Sequence, residues 1–152
     1  MTATVHAVVG TFIAARFIDP YAAVPIAFAS HYALDMVPHW DSATNRANKS
    51  DKKLLFEALI DTLIALTVSF VLYRYLFDLE NYSYLILIVG VSLLPDVVTF
   101  LTRFVFKKKN ILWNWNNRLQ IKLNRRLQLP WGILTQIIAV GVVYLVLFRV
   151  FI

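Results

Sequence analysis

Long apolar runs separated by short polar clusters set the pattern of this chain. Residues 3–18 are apolar almost throughout, a helix somewhat short of the roughly 20 residues that cross a bilayer. Asp19 and Pro20 end that run and open a second helix over 21–37, because proline is accommodated at a first helical position. Pro38 stops or kinks the second helix. The pair forms either two short spans or a re-entrant hairpin. A polar loop over 41–53 leads to a span over 54–77. An acidic turn at 78–82 is followed by a span over 83–106 that Pro95 interrupts, and the last span covers 131–151, with Trp131 and Arg149 as interface anchors. No internal repeat is present. The pattern predicts an all-α, polytopic integral membrane bundle of about five membrane-embedded helices, forming one transmembrane domain over residues 1–152.

The basic connection before the last span has its own periodicity. Leu112, Trp115, Leu119, Leu123 and Leu127 fall on a stripe roughly 120° wide, with Arg118, Lys122 and Arg125 to one side. This predicts an interfacial amphipathic helix resting on a leaflet, either as a lid or as a grip on anionic lipid. A solvated basic loop is the alternative for part of it.

Composition reinforces the membrane reading: 59% of residues are hydrophobic and only 16% charged, with 4 Trp, 7 Tyr and 11 Phe. Residues 1–18 lack a basic leader region and a small-residue cleavage site, so they read as mature protein. The absence of cysteine excludes disulfides, thiolate zinc sites and cysteine nucleophiles. The formal charge of +6 matters through its placement. Arg46, Lys49, Lys52 and Lys53 lie in one loop, and Arg103, Lys107, Lys108, Lys109, Arg118, Lys122, Arg125 and Arg126 in the other. These four and eight residues make twelve of the fifteen basic side chains, and two spans separate the loops. Both loops therefore belong on the cytoplasmic side of a prokaryotic membrane, with the N-terminus inside and the C-terminus outside. Segment 103–126 meets anionic headgroups. Because the basic residues flank apolar spans, nucleic acid is not the expected partner.

Against this background the ionisable residues inside apolar runs stand out. His31, Asp35 and His39 recur at i, i+4 and i+8, within roughly 80° of one another on a helix. His6 opens the first helix, Asp61 lies about two turns into its span, and Asp96 follows Pro95. Predicted topology puts all of them in the cytoplasmic half of the bilayer. Ionisable groups in hydrocarbon are costly and call for partners. Each also has an ordinary explanation: a solvated terminus for His6, an interface residue for His39, backbone bonding for the acids. Mixed imidazole and carboxylate ligands suit zinc, or else manganese or iron, better than calcium. The residue types predict a metal site of His6, His31, Asp35, His39 and Asp96. Asp61 and Asp96 are the expected catalytic carboxylates, with Asp61 as general base, and Arg103 is a candidate holder of a substrate phosphate.

The motif Ser-His-x-x-x-Asp-x-x-Pro-His (residues 30–39), the upstream His-x-x-x-Gly (6–10) and Leu-Leu-Pro-Asp (93–96) together resemble the bacterial and archaeal family called membrane-bound metal-dependent hydrolases. The resemblance covers residues 1–41 and 90–100. It implies metal-site roles for His6, His31, Asp35 and Asp96, and hydrolysis of a lipid or lipid-linked phosphoester. The chain departs from the family in carrying Leu-Leu-Pro-Asp after the Ser-His motif and in lacking a His-Arg-x-x-Thr-His segment, as a divergent or rearranged relative would. Two other classes fit parts of the same pattern: an ion or proton pathway through the buried acids, and a membrane scaffold that docks partners by its basic helix.

Overall fold

The computed structural model describes residues 1–106 and 111–150, without the side chains of Arg46, Arg103, Phe106, residues 111–114 and Val150. Its elements are helical throughout: α1 (Ala3–Arg16), α2 (Pro20–Asp35), α3 (Asp51–Val71), α4 (Tyr82–Phe100), α5 (Ile111–Leu123) and α6 (Trp131–Leu145). π-helical turns extend α3 (Leu72–Leu76), α4 (Leu101–Phe106) and α6 (Val146–Val150). A short 3-10 turn, Arg46–Asn48, sits in the loop before α3. Among the described residues three helical segments are long and apolar enough to cross a membrane: Asp51–Leu76, Tyr82–Phe100 and Trp131–Arg149. The expected interruption at Pro95 is absent, because α4 runs unbroken through it.

The shortest apolar helix occupies the centre. Residues 5–14 of α1 are buried on every side, and α2, α3, α4 and α6 pack around them. A helix apolar all round suits that position. The outer helices reverse the arrangement. Phe56, Leu59 and Leu63 of α3 and Ile137, Ile138 and Val142 of α6 turn outward, as helices solvated by lipid do.

Local chemistry starts the peripheral helices. Asp19 accepts from Tyr21 N ahead of Pro20, Ser50 from Lys53 N, and Asn81 from Tyr84 N, each satisfying donors that a helix N-terminus leaves over. Thr2, at the start of α1, makes no such bond with its own side chain.

Close approach of α1 and α4 fixes the register of the core. A Cβ on Gly10 would lie 2.7 Å from Ser92 Oγ and 3.3 Å from Val89 Cα. His6 is one turn from Gly10 and Asp96 one turn from Ser92. Because the two helices run antiparallel, the contact that only glycine permits also brings these two side chains to one level.

Candidate metal centre

Asp35 closes α2 in the middle of the polar cluster. His6 Nε2 lies 3.3 Å from its Oδ1, His31 Nε2 3.5 Å from its Oδ2, and His39 Nε2 3.8 Å from Oδ1. His31 Nε2 is also 3.6 Å from Asp96 Oδ1. The amino group of Met1 contacts Asp35, setting a positive charge against the carboxylate. Two ligands held about 2.1 Å from a tetrahedral ion stand about 3.4 Å apart, the spacing these pairs approach. One ligand atom from each of His6, His31 and Asp96 lies within 4.8 Å of the others.

The orientation of the rings is more informative than their proximity. His31 Nδ1 is 2.8 Å from Ser92 O, and His39 Nδ1 is 2.7 Å from Val37 O. A carbonyl can only accept, so each Nδ1 carries a proton, and in the neutral ring each Nε2 then presents a lone pair to the cluster. His6 stacks on His31 with ring centroids 3.9 Å apart. The Nε2 atoms of all three histidines are buried and find no hydrogen-bond partner among the described residues. An unmet buried polar atom costs on the order of 1–3 kcal/mol. Burial, and after it the N-terminal ammonium, holds His39 below its usual pKa, which favours the neutral ring. Imidazole nitrogens of His6, His31 and His39 around carboxylates are the donor types of a divalent transition metal, and the backbone carbonyls on the far nitrogens of His31 and His39 are the outer support such ligands ordinarily have.

Around this set the elements interlock. His39 N donates to Arg125 O at 2.9 Å, Leu127 N to His39 O at 2.7 Å, and Arg125 N to Asp35 O at 3.1 Å. The segment after α5 thus pairs with the one after α2. Trp40 N reaches Gly132 O at 3.2 Å, an approach that a side chain at 132 would block, since its Cβ would fall 2.5 Å from Leu127 O and Trp40 N. Asp41 lies 3.9 Å from His39 Nε2 and 3.3 Å from Arg126 Nε. Asp96 is the open side of the cluster: its side chain is 44% exposed, against 2% for Asp35.

α5 covers that side with its polar face. Gln120 Nε2 donates to Asp96 Oδ1 at 3.2 Å, Asn116 Nδ2 to Pro95 O at 3.0 Å, and Tyr32 OH to Asn116 Oδ1 at 2.9 Å. The leucine stripe read from sequence is therefore only part of the docking face. Asn116 is buried and Trp115 turns outward, 54% exposed, because α4 offers carbonyl and carboxylate acceptors at that level. Gln120, Asn116 and the Ser92 carbonyl were not singled out by the sequence. The spacing of Asn116 and Gln120, four apart on an amphipathic helix, was the available signal for the first two.

Asp61 has other work. Its Oδ2 accepts from Ala3 N at 2.6 Å, and its Oδ1 accepts from Thr4 N at 3.1 Å and Thr4 Oγ1 at 2.6 Å. It caps α1 from a neighbouring helix, supplying what Thr2 does not. Among the described residues no hydrogen bond or ion pair joins it to the histidines, so the expected general base is committed to holding the helix that carries His6. Glu57 pairs with Lys49 at 2.6 Å, as an interface residue would. The side chain of Arg103, the expected phosphate holder, lies outside the described residues, as does the run Lys107–Lys109.

No family model, curated protein or solved structure matches the chain, so function is argued from the site itself.

Proposed function

We propose that this chain is a membrane-embedded, metal-dependent hydrolase of lipid or lipid-linked phosphoesters, a divergent relative of the membrane-bound metal-dependent hydrolases. Its centre faces the cytoplasmic leaflet, five helices are embedded in the bilayer, and the N-terminus is inside. The observation that carries this reading is the convergence of three buried, unpartnered Nε2 atoms on Asp35. His6, His31, Asp35 and Asp96 hold the ion, with His39 completing or bordering the set. Zinc is the first expectation, manganese or iron the alternatives.

A bound divalent ion would polarise a phosphoryl oxygen and lower the pKa of a coordinated water. The chain's own residues do the rest. Ser92 O and Val37 O fix the tautomers of His31 and His39. Gln120 orients the Asp96 carboxylate, which is open enough to take a proton from an entering water. Arg126, on the far side of His39 through Asp41, is placed to hold a substrate anion. Asp61 is left out of the chemistry because its oxygens are used on α1.

The test is turnover of a panel of lipid phosphoesters by detergent-purified protein, with chelation and metal add-back. Metal-restored hydrolysis that disappears in His31→Ala supports the reading. Stoichiometric metal with no hydrolysis across the panel contradicts the enzyme while leaving the centre intact.

A further inference from the structure

An apolar groove of about 500 Å³ runs between α2 and α6, with α1 as its floor. Val9 and Ile13 form the floor, Ala33 and Val37 one wall, Ala139 and Val142 the other. Among the described residues two hydroxyls line it, and both are satisfied within the fold: Ser30 Oγ donates to Ala27 O at 2.8 Å, and Thr135 Oγ1 to Pro38 O at 2.5 Å. Nothing in the groove asks for a polar ligand.

Its length and its ends identify what fits. From Ile26 to Val37 along α2 the groove measures about 17 Å at 1.5 Å per residue. That is close to half of the roughly 30 Å hydrocarbon thickness, the depth of one leaflet. At the end beside the histidine cluster the lining stops at Val37 and Thr135, whose Oγ1 donates to Pro38 O. The next residue is His39, whose backbone is bridged to Arg126. Arg125 and Arg126 are both exposed there, Arg126 with its Nε 3.3 Å from Asp41. A hydrocarbon-lined channel one leaflet deep, with Arg125, the Arg126–Asp41 pair and the histidine cluster beyond its end, carries a net positive charge there and matches a lipid chain with an anionic headgroup.

We propose that the groove seats an acyl chain of an anionic phospholipid and holds its headgroup at Arg125 and Arg126, beside His39. This rests on the hydrolase reading for its catalytic meaning, but the binding claim stands or falls separately. The arginine pair selects the headgroup by charge, and the groove selects a long chain over a short one by the apolar area it covers.

Native mass spectrometry of detergent-purified protein offered phosphatidylglycerol or phosphatidylcholine reads the binding, and elemental analysis of the same samples reads the metal. Wild type is expected to retain phosphatidylglycerol in preference to phosphatidylcholine. Ala139→Phe, which fills the groove, is expected to lower retention of both by on the order of tenfold, about 1.4 kcal/mol, with metal content unchanged. Arg125→Gln with Arg126→Gln is expected to cut the preference for phosphatidylglycerol by about fivefold per charge, leaving phosphatidylcholine as it was. Unchanged lipid retention in Ala139→Phe overturns the groove, as does a second copy of the chain retained in place of lipid. Equal retention of the two lipids by wild type overturns the anionic headgroup. If Ala139→Phe also loses metal through misfolding, the arginine variant decides. Lipid selectivity in a protein without metal upholds this proposal and sinks the catalytic reading.

Discussion

Asp35 and Asp61 are both carboxylates in apolar helices that the sequence assigns to one site, Asp35 as ligand and Asp61 as base, yet the molecule surrounds them in opposite ways. Asp61 faces donors: two backbone N–H groups and the Thr4 hydroxyl at the start of α1. Its charge is answered, and the helix end gains its cap. Asp35 meets the Met1 ammonium on one side, but around it stand three imidazole nitrogens that carry no hydrogen toward the cluster or have no partner. A carboxylate and the Nε2 lone pairs of neutral His31 and His39 cannot satisfy one another. A buried acid becomes a candidate site when its neighbours share its need for a cation, and a structural element when they supply hydrogens.

Removing the centre should have the largest effect. His31→Ala or Asp35→Ala is expected to abolish bound metal and to lower stability by about 3–5 kcal/mol, the scale for stripping one partner from a buried ionic cluster. Thermal melting with and without chelator reads both, and in these variants the chelator should no longer shift the midpoint.

Gly10→Val comes next. Its Cβ would press on Ser92 Oγ at 2.7 Å, prising α1 from α4 at an overpacking cost of about 1–3 kcal/mol. Since His6 and Asp96 are set by that contact, metal affinity should fall with stability. A variant that melts early but binds metal as tightly as wild type would separate the helix contact from the centre.

Asp61→Ala is the sharpest probe of the contrast. Loss of the cap should cost about 1–2 kcal/mol in melting while stoichiometric metal is retained. Loss of metal at unchanged stability would place Asp61 with Asp35 instead. Gln120→Ala should have the smallest effect on stability, under about 1 kcal/mol, with metal affinity weakened on the order of tenfold because Asp96 loses the donor that orients it. An isotherm identical to wild type would leave α5 as cover only.

Much of this was legible in the chain. Apolar run lengths placed five helices to within a few residues, the leucine stripe pointed to α5, and the i, i+4 spacing of His31 with Asp35 put them on one face. What sequence could not carry was the angle between helices. His6 and Asp96 reach the cluster because Gly10 admits Ser92, a contact between residues 82 positions apart. The role of Asp61 was hidden for the same reason, since the donors it answers belong to another helix. Pro95 misled in a different way, because the kink expected from its ring and missing N–H did not break α4. On α5 the leucines drew attention away from Asn116 and Gln120, whose partners lie on α2 and α4.

Elemental analysis of the detergent-purified protein, comparing wild type with Asp35→Ala and Asp61→Ala, tests the centre most directly. The account predicts a stoichiometric divalent transition metal in wild type and Asp61→Ala, and none in Asp35→Ala. Wild-type protein devoid of metal after purification in its presence, or equal metal in all three, would contradict it.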